Sequence, residues 1–549
     1  MGLKKNNALQ FLEDRTSDYA ERVALGMKTN LGWNEFTYSG LGMLSRKLGH
    51  YLINELQLAK GERLAILSES MPEYGAGVFG SVLAGLVTVP LDIKLTEFEL
   101  QSILSDCEPT VMLVSKSLVE KAKKLQKMVP SIKTILLVDE PSCTDEFTSI
   151  HMLPENYNCK WRHRSSKATA LIIYTSGTTG APKGVEITFQ NMFAQLEGVE
   201  DALDSILGGK KVTVLSILPM NHLFEMTVGF SIFLSKGFTV YYAKSLKPKD
   251  ILGIMREKRV EFMIVVPAFL KLLKAGIETE LSNAPKIVQV IFNLMFNIAK
   301  FIPCYQIKKA MFKKIHDKFG GHFMGCISGG APLDIEVGRF FETIGIKVYQ
   351  GYGLSETSPV VSVNYDKRND IASVGRPLKG FEARVDSESG ELLLRGKSIM
   401  KGYHNQPEMT AEVIDEDGWL HTGDIARIDK DGHIFITGRI KNMIVLNGGK
   451  KVFPEEVEAI IEKSEYLAEV CVLGMHREGG SKDGTEEIVA VVVPKDKFIG
   501  QEGIEKLIKD DIKVLCQQLT LYKRPNEIII KNEALPKTTT RKVKRREVK

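Results

Sequence analysis

From residue 60 to about residue 330, short apolar, β-branched runs alternate with helix-like stretches, and this alternation constrains the fold more than any other feature. LAILS from Leu64, VTVPL from Val87 and TVMLVS from Thr110 have strand length, while TEFELQSILSD from Thr96 has a helical pattern. Short runs that are apolar throughout predict strands covered on both faces, hence βαβ units and a largely parallel sheet. The pattern resumes in ALIIYTS, VTVLSILP, FTVYYAK, EFMIVVPAFLKLLKA and GHFMGCISGG. Two α/β lobes are expected, and clefts beside such sheets are natural ligand sites.

The texture changes after about residue 375. FEARVDSESGELLLRG and DGHIFITGR are short strands broken by Ser-Gly and Asp-Gly turns, which predicts a small β subdomain over about 375–439. Beyond Arg439 follow a helix opened by Pro454, the strands AEVCVLGM and EEIVAVVVP, another helix and EIIIKNEAL. The expected architecture is therefore α/β. A large N-terminal domain, 1–439, holds two lobes and the β subdomain, and a small α+β C-terminal domain, 440–549, follows it.

Composition narrows the class. With 549 residues, 44% hydrophobic and 26% charged, the chain is ordinary globular material, and its net charge of +5 is too small an excess to suggest a nucleic-acid partner. Seven cysteines without a C-x-x-C pair argue against a disulfide framework and a zinc site, so a reducing, cytoplasmic setting is expected. The N-terminal segment lacks the apolar run of a signal peptide, and no stretch is long and apolar enough for an ordinary spanning helix.

The strongest local feature is YTSGTTGAPKGVEITFQN from Tyr174, where a strand runs into a loop and then toward a helix. Gly177, Gly180 and Gly184 let backbone N–H groups turn inward; Thr175, Ser176, Thr178 and Thr179 add hydroxyls; and Lys183 adds a charge. Such a loop suits a polyphosphate, although its order of Gly and Lys is not that of a P-loop.

This loop resembles the phosphate-binding motif of the adenylate-forming superfamily, which includes acyl-CoA synthetases, luciferases and nonribosomal peptide adenylation domains. LPMNHLFE from Leu218, SGGAPL from Ser328, YQGYGLSETSPV from Tyr349, HTGDIARIDKDG from His421, GRIKNMIVLNGGKKVFPEEVE from Gly438 and LPKTTTRKVKR from Leu535 are similar to the later family motifs, in family order. The resemblance implies ATP, Mg²⁺ and coenzyme A as ligands and a mobile C-terminal domain. The stretch from Lys286 to Phe319 and FFETIGIKVYQGYGLSETSPV resemble long-chain acyl-CoA synthetases, which implies a fatty-acid substrate.

Several site roles follow from the resemblance. In YQGYGLSETS, containing Gln350, Gly351 and Gly353, it assigns Tyr352 to adenine, Ser355 to a phosphate and Glu356 to Mg²⁺. Ser328, Gly329, Gly330, Ala331 and Pro332 would line the adenine, and His222 a position near the acyl tunnel. Asp424 would hold the ribose hydroxyls, and Arg439 would add a contact near the ribose and phosphate. Lys542 would stabilise charge building on the α-phosphate, although Arg541 precedes it where many relatives have Gly. Lys441 falls at the family hinge, and Gly448–Gly449 would shape the pantetheine channel in a second catalytic pose.

The stretch KIVQVIFNLMFNIAKFIPCYQIKKAMFKKIHDKF from Lys286 places Gln289, Asn293, Asn297 and Lys300 on one narrow helical face, with a broad apolar surface opposite. Residues 300–318 then hold six lysines and one acid, Asp317. The pattern is met equally by a buried helix followed by a solvated basic one and by a surface that touches an anionic membrane. A homodimer is left open. The competing functional readings are an acyl-acyl carrier protein synthetase, an acyl-AMP ligase, and a non-catalytic nucleotide- or lipid-binding protein.

Overall fold

The computed structural model describes residues 8–155, 160–176, 182–365, 370–446, 450–475, 486–537 and 543–548. By packing, the chain divides into two compact units, one of 1–382 with 395–420 and the other of 383–394 with 421–549.

The first unit holds two large sheets. In one, the strands Arg63–Leu67, Val87–Pro90, Val111–Val114 and Thr134–Leu137 lie parallel, and Thr169–Ser176 continues them beside Val87–Pro90. Their residues are nearly all buried, as apolar runs without alternation require. The other sheet has a parallel centre made of Val23–Thr29, Thr239–Tyr242, Thr213–Ser216, Phe262–Val265, Gly325–Ser328 and Lys347–Tyr352.

In the second sheet, the chain leaves the carboxyl ends of four adjacent strands directly into motif segments. Thr213–Ser216 leads to LPMNHLFE, Phe262–Val265 to a proline-started helix, Gly325–Ser328 to GGAPL and Lys347–Tyr352 to GLSETS. Ligands of open α/β sheets gather at this end of the strands.

One sequence expectation is corrected by the fold. Lys183 and Gly184 lie not in the loop but on the strand Pro182–Thr188, antiparallel to Thr169–Ser176 with Thr175 opposite Lys183 and Tyr174 opposite Gly184. Val185 and Ile187 are fully buried while Glu186 points the other way, so the alternation in VEIT extends the hairpin before the helix begins. Thr188 caps that helix, Phe189–Leu207, through a reciprocal pair of hydrogen bonds with Asn191.

The second unit carries the sheet Phe381–Val385, Glu391–Gly396, Leu420–Ile428 and Ile434–Arg439, and a three-stranded sheet of Leu467–Met475, Glu487–Pro494 and Glu527–Ile530. Val457, Ile461, Ile508 and Ile512, from the helices Pro454–Ile461 and Ile504–Leu515, pack with Val472, Ala490 and Val492 of the latter.

Candidate functional site

In the first unit the hairpin that flanks the Gly-rich loop is held to its surroundings by its own side chains. The short strand Gly402–Tyr403 pairs with Val185 and Glu186. Glu186 receives hydrogen bonds from His404 Nδ1 (2.7 Å), Lys401 Nζ (2.6 Å) and Thr169 Oγ1 (2.6 Å). Burial would raise the Glu186 carboxyl, but these donors bring it down to about 2.

The pairing aims Tyr403 across the site. Its hydroxyl donates to Glu356 Oε1 at 2.9 Å, and Lys183 Nζ lies 5.2 Å from the centre of its ring. Glu356 occupies the single 3₁₀ turn Ser355–Thr357, whose shape is fixed from inside. Thr357 Oγ1 accepts from Leu354 N–H at 2.9 Å and donates to the Pro359 carbonyl at 3.0 Å.

The helix after the hairpin braces both parts. Asn191 and Gln195, four residues apart on one face, are almost fully buried. Asn191 Nδ2 donates to the carbonyls of Lys397 and Ile399 at 2.7 Å each. Gln195 Nε2 donates to the carbonyls of Thr357 and Val360, and its Oε1 accepts from Val360 N–H at 3.1 Å. Met400 N–H donates to the Glu356 carbonyl at 2.8 Å. Lys183, Tyr403 and Glu356 thus sit on one braced frame, where a cation, an aromatic hydroxyl and a carboxylate converge.

The neighbouring segments are tightly fitted. A Cβ on Gly353 would fall on the Pro359 carbonyl oxygen, so the Tyr352–Ser355 turn admits no side chain there. Tyr352 ends its strand opposite Ser362, and Gly351 lies opposite Val363. Gln350 is buried, with Nε2 donating to the Ser373 carbonyl at 3.0 Å and Oε1 accepting from Leu333 N–H at 3.2 Å. It therefore ties the Ser328–Leu333 segment to the strand.

Gly330 adopts φ +80°, a left-handed turn that glycine accommodates without strain, and Ala331 is half-buried beside it. A Cβ on Gly329 would meet the Phe224 ring at 3.0 Å, which places that glycine against the segment carrying His222. Ser328 Oγ is fully buried with no hydrogen-bond partner among the described residues. Three residues after His222, Glu225 is fully buried; Ser216 donates to its Oε1 at 2.6 Å, and burial pushes the carboxyl up to about 8 against that hydrogen bond.

In the second unit Asp424 and Arg439 face each other as a cross-strand pair. Arg439 Nε lies 2.6 Å from Asp424 Oδ1 and its Nη2 3.4 Å from Oδ2, a fork on a carboxylate that is 1% exposed. The ion pair orients the carboxylate. Lys441 is the exposed residue of the turn Ile440–Asn442 directly after this strand, and the half-buried Asn442 is anchored to Glu455 at 2.7 Å.

Gly177, Thr178, Thr179, Gly180, Gly448, Gly449 and Lys542 lie outside the described residues. The residues flanking Lys542 are firmly held: Lys537 and Val543 form an antiparallel bridge, and Arg545 pairs with Glu458 and donates to the Val472 carbonyl at 2.8 Å. Burial works against the Arg545 charge, but Glu458 and Glu455 hold the guanidinium above its ordinary range.

Sequence reasoning missed Tyr403, Asn191, Gln195 and Arg545. Asn191 alone carried a local signal, three residues after Thr188 at a helix start; the others act through long-range pairings that leave no local pattern.

Comparison with known proteins agrees with this arrangement of segments. The family model described as AMP-binding enzyme matches residues 12–404, and that of the AMP-binding enzyme C-terminal domain matches 456–542. A long-chain-fatty-acid–CoA ligase of Salmonella typhimurium is 28% identical over 98% of this chain and 94% of its own. Luciferin 4-monooxygenase of Photinus pyralis is also 28% identical, over 90% of this chain and 84% of its own. Among solved structures, ATP-bound MatB from Rhodopseudomonas palustris shares the fold with a TM-score of 0.79 at 24% identity, covering 99% of this chain and 98% of its own. The Mycobacterium tuberculosis fatty acyl CoA synthetase does so with a TM-score of 0.68 at 22% identity, over 98% of this chain and 96% of its own.

Proposed function

The chain belongs to the AMP-binding enzyme family, and from that premise we propose that it activates a long-chain fatty acid with ATP and passes the acyl group to coenzyme A. The observation that carries the choice of acid and acceptor is the near end-to-end match to relatives named long-chain-fatty-acid–CoA ligase.

In the first half-reaction the fatty-acid carboxylate attacks the α-phosphorus of ATP, forming the acyl-AMP as pyrophosphate leaves. We assign the polyphosphate to Thr175, Ser176, Gly177, Thr178, Thr179, Gly180, Lys183 and Ser355. The adenine is assigned to Tyr352 and Gly353 together with Gly329, Gly330 and Ala331, and Gln350 and Gly351 support its wall. Asp424, oriented by Arg439, takes the ribose hydroxyls, and Lys542 stabilises the charge that builds on the α-phosphate. Glu356 fits Mg²⁺, because a cation that takes most of its ligands from phosphate and water needs only one or two protein carboxylates, and the Tyr403 hydroxyl holds Glu356 through Oε1. When bound there, Mg²⁺ would neutralise phosphate charge.

In the second half-reaction the thiol of coenzyme A gives up its proton and attacks the acyl carbonyl, and AMP leaves. We assign the large domain to 1–439 and the small one to 440–549, with Lys441 as the hinge between two poses and Gly448–Gly449 beside the incoming thiol. His222 is assigned to the acyl side.

The test is pyrophosphate release across carboxylic acids of graded length, with and without coenzyme A. Release that rises with chain length, with thioester formed only when coenzyme A is present, is the expected result. No release with any fatty acid would sink the proposal. Acceleration by an acyl carrier protein in place of coenzyme A would change the acceptor.

A further inference from the structure

The helix Lys286–Ala299 is apolar on two sides, and only one of them is packed. Phe292 and Phe296 turn inward onto Phe312, with ring centres 5.6 and 6.5 Å away, and Ala299 is fully buried. On the outer side Ile287, Ile291, Leu294 and Ile298 are exposed by 69, 50, 61 and 49%, and Phe301 beyond the helix end by 87%. Spacings of four, three and four residues make these one stripe along the helix. The polar face expected from the sequence is present at Asn293 and Asn297, but the apolar surface is too broad for the core to cover.

The segment that carries the stripe is rich in lysine, with Asp317 and Glu280 paired to Lys313 and Lys318 at its far end. Between Asn283 and His316 the sequence has six lysines and no Asp or Glu. Lys286 and Lys300 stand exposed at the two ends of the helix, and Lys314 is exposed on the helix Lys313–Lys318, where Lys313 is paired with Asp317 at 2.7 Å. Lys308 is not part of this surface, being buried with its ammonium donating to the Glu342 carbonyl at 3.1 Å.

We propose that this stripe docks on an anionic lipid bilayer, with the helix lying in the plane of the interface. Apolar side chains that find no protein cover gain by entering the acyl boundary, and flanking ammonium groups gain from anionic headgroups. Pairing of two copies through the same stripe would set lysine-flanked helices against each other, where like charges repel; an anionic surface neutralises them instead. The packed side of the helix belongs to the same apolar cluster as Leu333, which ends the Ser328–Leu333 segment. The lipid face and the candidate site are thereby joined through one apolar layer. The inference rests on exposure and charge and does not depend on the proposed reaction.

The full chain is floated with phosphatidylcholine vesicles, with and without phosphatidylglycerol, at low and high salt. Binding to the anionic vesicles, weakened by salt, is expected. The double variant Ile291→Ser/Leu294→Ser and the double variant Lys300→Glu/Lys314→Glu should each lower partitioning about tenfold or more with thermal unfolding unchanged, each lysine near the surface counting for about a factor of five. Wild-type protein that ignores anionic vesicles, or variants that bind as well as wild type, would overturn the proposal. So would a wild-type dimer in light scattering that Ile291→Ser/Leu294→Ser dissociates, because the stripe would then be covered by a second copy. No turnover enters the measurement, so its failure is separable from failure of the acid panel.

Discussion

The Tyr403 hydroxyl donates to Glu356 Oε1 at 2.9 Å, joining a residue on an edge strand to a carboxylate 47 positions earlier in the chain. Tyr403 reaches that carboxylate only because Gly402–Tyr403 pairs with the strand that carries Lys183. The hydrogen bond orients Glu356 without neutralising it, which is the arrangement a metal-facing carboxylate needs.

Tyr403→Phe keeps the ring under Lys183 and removes only this donor. A hydrogen bond to a charged group contributes about 1.5–3 kcal/mol, so adenylation should fall about tenfold to a hundredfold. The apparent Mg²⁺ requirement should rise in parallel. Pyrophosphate exchange titrated with Mg²⁺ checks both, and an unchanged requirement would separate Tyr403 from metal positioning.

Glu186 braces the same hairpin. Its carboxyl is depressed to about 2 from an ordinary 4.5, so the stability it contributes is present above pH 4.5 and is lost as pH falls toward 2. Glu186→Gln keeps the shape and loses the charge-assisted bonds from Lys401 and His404. A loss of about 2 kcal/mol at neutral pH is expected, with the two proteins converging in acid. Denaturant unfolding at both ends of that range measures it, and a difference independent of pH would contradict the assignment.

Glu225 behaves with the opposite sign. Fully buried, it is raised to about 8 from 4.5, so the folded chain keeps a proton that the unfolded chain releases. Its contribution to stability is complete below pH 4.5 and is lost as pH rises toward 8. Glu225→Gln removes that loss, and the variant should gain on the wild type by on the order of 3 kcal/mol across the window. Thermal unfolding at successive pH values tests this, and parallel curves would sink it.

Local signals carried the lobes, the strands and the order of the motif segments, because apolar runs and turn residues write both faces of a parallel strand into a few consecutive positions. Lys183 and Gly184 read as loop because a Gly-rich loop and the strand after it share a boundary that glycine blurs. Asn191 and Gln195 could not be read as braces: their partners at Thr357, Val360, Lys397 and Ile399 lie more than 160 residues away. Arg545 sits among basic residues that give no local sign of a partner, yet it pairs with Glu458 because a sheet and a helix bring them together. Breadth of an apolar face likewise says nothing about which part the core will cover, and in Lys286–Ala299 the answer depended on Phe312 and Phe340.

The sharpest separation of steps concerns Lys542 and Lys441. If Lys542 stabilises only the charge on the α-phosphate, Lys542→Ala should slow adenylation about 10²–10³-fold while leaving thioester formation from supplied acyl-AMP intact. The described residues on either side are held by the Lys537–Val543 bridge and by Arg545 on Glu458, contacts that the substitution leaves in place. Lys441→Pro restricts a backbone torsion in the turn Ile440–Asn442 and should do the reverse, sparing adenylation and impairing thioester formation. Single-turnover measurements of the two half-reactions on both variants decide the matter: equal losses in both steps for Lys542→Ala would remove the two-pose assignment, and a Lys441→Pro protein normal in both would move the hinge elsewhere.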